Sequence, residues 1–222
     1  MHKDKLRVLV FISGRGSNME NLIHQSQTFE VIGVISNNSE ARGLDIAKSL
    51  GIKAFGIAKK SNLKSQKDEI YNQARSLNPD VIALAGFMQI LEPTFVQEYY
   101  GKIINIHPSL LPKFPGLHTH KRAIEQNETM HGCSVHLVDD GVDTGPIIAQ
   151  AAVTIDPNDS EESLTNKVLI REHQIYPWVL NLIGSGDIKF EIKTSTKNIY
   201  TSYSDLVYKE AAKLDFKIPP GR

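Results

Sequence analysis

The sequence predicts an α/β protein with a Rossmann-like, three-layer fold, in which helices cover a mostly parallel twisted sheet. Apolar runs of strand length, beginning with Leu6–Ile12, alternate with helical patterns such as 62–77. This rhythm is typical of βαβ units with right-handed crossovers. Two later apolar runs, 131–138 and 145–151, are separated by a short acidic loop. They predict an antiparallel region at the edge of the sheet.

The elements of the first half follow this rhythm. Leu6–Ile12 is an almost continuous apolar run, as expected of a strand that is buried on both faces. Gly51 and Asn78-Pro79 are typical helix ends. The predicted order after the first strand is a helix near 19–23, a strand at 31–36, a helix at 41–50, a strand at 53–55, a helix at 62–77 and a strand at 80–86.

The second half continues with shorter elements. Pro93 is a good first helical residue, and Pro108 ends the strand that begins at Ile103. A long helix begins near Asp159 or Ser160, and its apolar face contains Leu164, Val168, Ile175 and Val179. We also expect a helix at 118–126, an edge strand at 188–192 and a helix at 204–214. Residues 1–192 are predicted to form one catalytic domain and residues 193–222 a C-terminal extension of unknown role.

Composition and charge exclude several classes of protein. The 222 residues are 41% hydrophobic and 23% charged, which is ordinary for a folded globular protein. Lys+Arg and Asp+Glu each number 25, so no global field recruits nucleic acid or an anionic membrane, and we expect neither as a partner. The single Cys133 cannot form an internal disulfide, and no signal peptide or membrane span is evident. These features favour a cytoplasmic protein.

The first strand leads into a glycine loop, Ser13-Gly14-Arg15-Gly16-Ser17-Asn18, and then into a helix. Glycines let a ligand approach the backbone, and a helix N-terminus offers free N–H groups to a phosphate. The loop lacks the third glycine of a dinucleotide fingerprint and the lysine of a nucleotide P-loop. From the loop alone, a phosphate site and a simple N-cap turn remain equally open.

The stretch with most chemical content is Asn105-Ile106-His107-Pro108. Side chains alternate along a strand, so Asn105 and His107 should share one face, about 6.5 Å apart, at a C-terminal strand end where α/β proteins bind ligands. Asp143 lies in the acidic loop downstream and is expected to orient His107 and raise its pKa. An amide, an imidazolium and a carboxylate suit acyl transfer to an amine. The alternatives are an Asn that satisfies a turn and a structural His.

Two further features have competing interpretations. Phe87–Leu91 is an apolar loop, which either packs under the next helix or lines a ligand pocket. Five of the eight histidines fall between His107 and His136, but His118 and His120 do not share a helical face. No cysteine or carboxylate supplies the usual zinc spacing, so we expect no metal.

Several of these motifs together carry a resemblance to a known family. Asn105–Pro112, Gly116-Leu117-His118 and Asp143–Pro146, in this order, closely resemble the folate-dependent formyltransferases. The loop Ser13–Asn18 is similar to that of the branch that formylates glycinamide ribonucleotide in purine synthesis. The resemblance extends from about Leu6 to about Gly186.

The resemblance implies transfer of a formyl group from 10-formyltetrahydrofolate to the amine of glycinamide ribonucleotide. Asn105, His107 and Asp143 would be catalytic, with a protonated His107 beside the oxyanion. The ribonucleotide phosphate and ribose would contact Gly16, Ser17, Asn18 and Glu172, although Glu172 alone would suggest a solvated helix face. The folate would contact Met88, Gln89, Ile90, Leu91, Asn105, Val138, Asp139, Asp140 and Asp143.

The sequence lacks one residue that is typical of the family, and two other functions are alternatives. The family arginine near the start of the 62–77 helix is missing, and Lys64 or Lys67 is expected to replace it at the phosphate. The related tRNA formyltransferases and formyltetrahydrofolate hydrolases carry an extra domain, which we do not expect in a chain of 222 residues. A nucleotide-binding module without catalysis is the rival from another class. The expected protein is a monomer or a homodimer.

Overall fold

The computed structural model describes residues 5–60, 62–193 and 198–220. These residues belong to two compact units, Met1–Ile104 and Asn105–Arg222. The predicted division after residue 192 stays a prediction. In the described parts of the chain, no helix is long and apolar enough to cross a membrane.

The first unit alternates strands and helices as predicted. Parallel pairing joins β4 to β1, β1 to β2 and β2 to β3. Val8–Ile12 of β1 are completely buried, because a central parallel strand has neighbours on both faces. The elements are β1 (Leu6–Ile12), α1 (Ser17–His24), β2 (Phe29–Ser36), α2 (Arg42–Ser49), β3 (Ala54–Gly56), α3 (Leu63–Leu77), β4 (Val81–Leu84) and α4 (Pro93–Glu98), followed by β5 (Ile103–His107) across the unit boundary.

The second unit contains the antiparallel region. Here β6 pairs antiparallel with β7, and β7 pairs antiparallel with β10. The elements are α5 (Thr119–Glu125), β6 (Met130–Leu137), β7 (Ile147–Thr154), α6 (Glu161–Ser185), β8 (Ile188–Lys193), β9 (Asn198–Tyr203), α7 (Asp205–Leu214) and β10 (Phe216–Lys217). Parallel and antiparallel pairing together confirm the predicted fold class.

Helix α6 follows its predicted pattern. Ser160 caps its N-terminus, and Ser160 and Ser163 satisfy each other's backbone N–H groups. The four apolar residues of the predicted face, Leu164, Val168, Ile175 and Val179, are completely buried. The helix therefore begins and packs where the sequence placed it.

The edge strand predicted at 188–192 is present as β8. β8 pairs with β9 in a separate two-stranded sheet, while the edge position beside β7 is filled by β10 from the C-terminal tail. The helix predicted at 204–214 is confirmed as α7, which begins after Ser204. Within the described part of the tail, β10 therefore extends the sheet of the second unit, whereas β9 pairs with β8.

Candidate functional site

His107 is the last residue of β5, and its ring is held between two oxygen atoms of the second unit. It is only 5% exposed. Its Nε2 lies 2.9 Å from the Phe114 carbonyl oxygen, and its Nδ1 lies 3.3 Å from Oδ2 of Asp143. Both ring nitrogens thus face acceptors, so a proton added to the neutral ring would gain a partner on either side.

Asp143 is fixed by its loop as well as by the ring. Its backbone is left-handed, with φ 55°, a conformation that Asp tolerates better than most residues. The Gly116 amide donates to Oδ2 at 2.8 Å. Burial opposes ionisation, but the His136 ring, the Gly116 amide and the His107 ring hold the pKa of Asp143 below its ordinary value. Asp143 is therefore a carboxylate near neutral pH.

Asn105 and His107 both reach Asp143, as the alternation of β5 predicted. The Nδ2 of Asn105 lies 3.4 Å from Oδ1 of Asp143 and 3.1 Å from Nε2 of His136. His136 Nδ1 lies 2.8 Å from the Leu137 carbonyl oxygen, so in the neutral ring Nδ1 donates and Nε2 accepts from the Asn105 amide. One Asn105 hydrogen is thus well bound to His136, while the other makes a long contact with Asp143.

His136 is a member of this cluster that the sequence analysis did not select. From the alternating strand, His136 could support the site, but a hydrogen-bonded structural role was the favoured prediction; the ring is buried and lies beside both Asn105 and Asp143. The available signal was its position three residues before Asp139, the first residue of the acidic loop. That signal is weak, because a buried histidine at a strand end is commonly structural.

The pKa of His107 is shifted in the opposite direction to the one expected, although Asp143 acts on it as predicted. Burial lowers the pKa of His107 below its ordinary value, although the Phe114 carbonyl and Asp143 both raise it. The cost of removing an imidazolium from water is larger than the stabilisation by the neighbouring carboxylate. His107 is therefore a neutral ring held next to a carboxylate, ready to accept a proton.

The first unit contains a cleft of about 270 Å³ around the glycine loop, lined by Ser13, Gly14, Arg15, Gly16, Ser17, Asn18, Ala85, Gly86 and Met88. The three predicted phosphate ligands are thus brought together, with Gly16 at the N-cap of α1. Arg15 is a cation in the lining that the sequence analysis did not select. Its position between the two glycines of the loop was the available signal.

The lysines expected to replace the missing family arginine lie on α3. Lys64 is exposed in the first turn, where its backbone N–H donates to the Asn62 side chain at 2.9 Å. Lys67 instead lies 3.8 Å from Glu92. Neither residue lines the cleft of the first unit, so a phosphate contact by Lys64 stays a prediction.

The apolar loop after β4 is exposed, so packing under the next helix is the wrong interpretation for two of its residues. Met88 is 68% and Ile90 70% exposed, whereas Leu91 is buried. Met88 N–H donates to the Ser13 hydroxyl at 2.8 Å, and Gln89 Nε2 donates to Gln66 at 3.0 Å. A loop held by hydrogen bonds thus presents apolar side chains to solvent, as a binding surface requires.

The remaining predicted ligands lie in the second unit. Asp139 accepts hydrogen bonds from Gly141 N–H and the Thr144 hydroxyl and so shapes its own loop, while Val138 is half-buried and Asp140 exposed. Glu172 is only 8% exposed on α6, so the solvated-face interpretation is wrong. Among the described residues, no cluster of three or more His, Cys, Asp or Glu side chains forms a metal site.

Gly16 provides a test of the cleft's architecture. Its φ is +79°, and an added Cβ would lie 2.8 Å from the Met19 side chain and 3.0 Å from Gly43 Cα. Gly16→Ala is therefore expected to lower the free energy of unfolding by about 1–3 kcal/mol, measured by urea denaturation. Gly14→Ala is the matched control, because a Cβ there has no atom within 4 Å. Equal stability of the two variants would contradict the strained conformation.

Comparison with known proteins is consistent with this geometry. A family model described as formyl transferase matches residues 6–180. Phosphoribosylglycinamide formyltransferase of Escherichia coli is 43% identical over 190 residues, which cover 83% of this chain and 90% of that protein. The human trifunctional purine biosynthetic protein adenosine-3 is 41% identical over 197 residues, 84% of this chain but only 19% of the longer protein.

A solved structure shows the same fold. The phosphoribosylglycinamide formyltransferase of Anaplasma phagocytophilum superimposes with a TM-score of 0.82 at 42% identity, covering 91% of this chain and 97% of that one. With a family match over most of its length, relatives above 40% identity and a shared fold, the chain belongs to the formyl transferase family.

Proposed function

We propose that this protein transfers the formyl group of 10-formyltetrahydrofolate to the amine of glycinamide ribonucleotide. The products are formylglycinamide ribonucleotide and tetrahydrofolate. Family membership and relatives named for this reaction support the activity. The single observation that carries the chemistry is the cluster at the end of β5, where Asn105 and His107 each contact Asp143.

In this proposal, His107 accepts and then donates one proton, and Asp143 stabilises the protonated ring. The amine attacks the formyl carbon, and the proton that it loses passes to His107, directly or through water. The resulting imidazolium is stabilised by Asp143 on Nδ1 and by the Phe114 carbonyl on Nε2. His107 then gives the proton to N10 of the folate as the C–N10 bond breaks. General acid–base transfer of this kind contributes about 10²–10⁴-fold to a rate.

Asn105 is the proposed donor to the oxyanion. Its amide keeps the 3.1 Å contact with His136, while the 3.4 Å contact with Asp143 is the weaker of the two. An oxyanion can therefore take this second hydrogen at little cost. His136 acts as the support that holds the amide in the required orientation.

The substrates are assigned to residues by chemistry. Gly16, Ser17 and Asn18 bind the ribonucleotide phosphate at the start of α1, with Arg15 as the nearby cation and Lys64 as a further contact. Glu172 binds ribose hydroxyls. The folate contacts Met88, Gln89, Ile90, Leu91, Val138, Asp139 and Asp140. We further propose a cytoplasmic monomer or homodimer that acts on small molecules and needs neither nucleic acid nor a membrane.

The reaction can be tested by following folate release spectrophotometrically with a 10-formyl folate analogue. Release is expected only when glycinamide ribonucleotide is present. Release without the ribonucleotide would identify a hydrolase and contradict the proposal. No release under either condition, combined with ribonucleotide binding, would instead identify a binding module.

A further inference from the structure

A buried hydroxyl on β6 organises the loop that follows His107. Ser134 is completely buried, and its Oγ donates to the Ser109 carbonyl at 2.6 Å. Having used its only hydrogen, Oγ accepts from Leu111 N–H at 3.0 Å and from Gln150 Nε2 at 2.8 Å. Three partners therefore meet at one oxygen atom.

Gln150, on β7, closes this network. The same Nε2 that donates to Ser134 also donates to the Leu111 carbonyl at 3.0 Å. The Gln150 amide thus binds the loop directly at the Leu111 carbonyl and indirectly through the Ser134 hydroxyl on β6. A methionine of similar length would lack both donors, and Ser134 and Leu111 would each lose a hydrogen bond.

This loop carries the partner of the catalytic ring. Ser109 N–H donates to the His107 carbonyl at 2.8 Å, and the Lys113 carbonyl accepts from the Ser109 hydroxyl at 2.7 Å. Phe114 follows directly, and its carbonyl is the acceptor 2.9 Å from His107 Nε2. Fixing 109–113 therefore fixes the oxygen atom that orients the ring.

The C-terminal tail holds Gln150 from the other side. In the sheet, Gln150 is the partner of Ser134 on β6 and of Lys217 on β10, while Ala151 is the partner of Phe216. The Phe216 ring lies 5.1 Å from the Trp178 ring, and Arg171 donates to the Leu214 and Asp215 carbonyls at 3.0 Å. Strand β10 is therefore anchored on α6 and pairs with β7 at Gln150.

We propose that Gln150 is a positioning residue for formyl transfer: its amide, backed by β10, holds the 109–114 loop so that the Phe114 carbonyl orients His107. This inference rests on the proposed function for its effect on rate. Its geometric part concerns only the ring and the loop, and can be measured on the protein without substrates.

The test is Gln150→Met in the full chain, compared with Gln126→Met, the same substitution at an exposed residue that follows α5. We expect kcat to fall by about 10- to 100-fold, as misplacement of a reacting group commonly causes, while KM for the ribonucleotide changes less than about threefold. The control should match the wild type. A kcat within twofold of the wild type would overturn the proposal.

A second readout separates positioning from general damage. The Phe114 carbonyl raises the pKa of His107, so loosening it should move the ring's NMR titration to lower pH in Gln150→Met. The other groups that act on the ring are retained in this variant: Asp143, His136, Arg122, His120 and His131. An unchanged titration would contradict the positioning role, even if the wild-type protein proved inactive.

Should Gln150→Met fail to fold, Ser134→Ala tests the same network from its other end, because it removes the hydroxyl and leaves the second Gln150 contact in place. A lowered kcat together with the same shift of the His107 titration supports the proposal. Normal values for both would overturn it. Failure of the proposed function itself would be seen separately, as the absence of formyl transfer by the wild-type protein.

Discussion

His107→Ala is expected to lower turnover by about 10³-fold while the folate analogue still binds. In the proposed reaction this ring carries the proton from the amine to N10, and general acid–base groups contribute about 10²–10⁴-fold. Its contacts are with the Phe114 carbonyl and Asp143, so its loss should affect the chemical step more than folate binding. Single-turnover kinetics and calorimetric titration with the analogue measure the two effects separately.

The matched control for this variant is His24→Ala, which removes an exposed histidine at the end of α1. Its turnover should equal that of the wild type. Near-normal turnover in His107→Ala would exclude the assigned proton transfer. A loss that came entirely from weaker folate binding would make His107 a binding residue only.

Asp143→Asn is expected to move the pH dependence of kcat/KM to lower pH and to lower its plateau by about 10²-fold. In the proposed reaction His107 must be neutral at the start, so activity rises as pH increases through its pKa. The carboxylate raises that pKa, and removing the charge therefore lowers it further and moves the rising limb to lower pH. The plateau falls because the imidazolium formed during attack loses its ion pair.

Asparagine keeps an oxygen that can accept from the Gly116 amide, so this variant tests charge more than loop structure. Asp45→Asn, an exposed change on α2, is the control for a lost carboxylate. A pH profile unchanged from the wild type would remove Asp143 from this role.

Much of the fold was predictable because its signals are local. These signals are read from residues that are close in sequence: the apolar run at 6–12, the glycine and proline residues that end helices in the first half, and the apolar face of α6. The edge position beside β7 was not predictable in this way. Phe216 and Lys217 of β10 fill it, and no strand was predicted there; the packing of Phe216 against Trp178 and Arg171 is a tertiary contact that the local sequence does not show.

The site shows the same division. The alternation of β5 predicted that Asn105 and His107 share a face, and the acidic loop supplied Asp143. The sequence did not reveal that His136 completes the cluster or that Arg15 lines the cleft. It also gave the wrong direction for the pKa of His107, because burial is a property of the folded chain and here outweighs a neighbouring carboxylate.

The most direct test of the central claim is to trace the formyl carbon. The protein would be incubated with glycinamide ribonucleotide and 10-formyltetrahydrofolate labelled with ¹³C in the formyl group, and the products would be analysed by mass spectrometry. The proposed reaction predicts one labelled carbon in formylglycinamide ribonucleotide for each tetrahydrofolate released. Label recovered as formate, or retained on the folate while the ribonucleotide is bound, would contradict it.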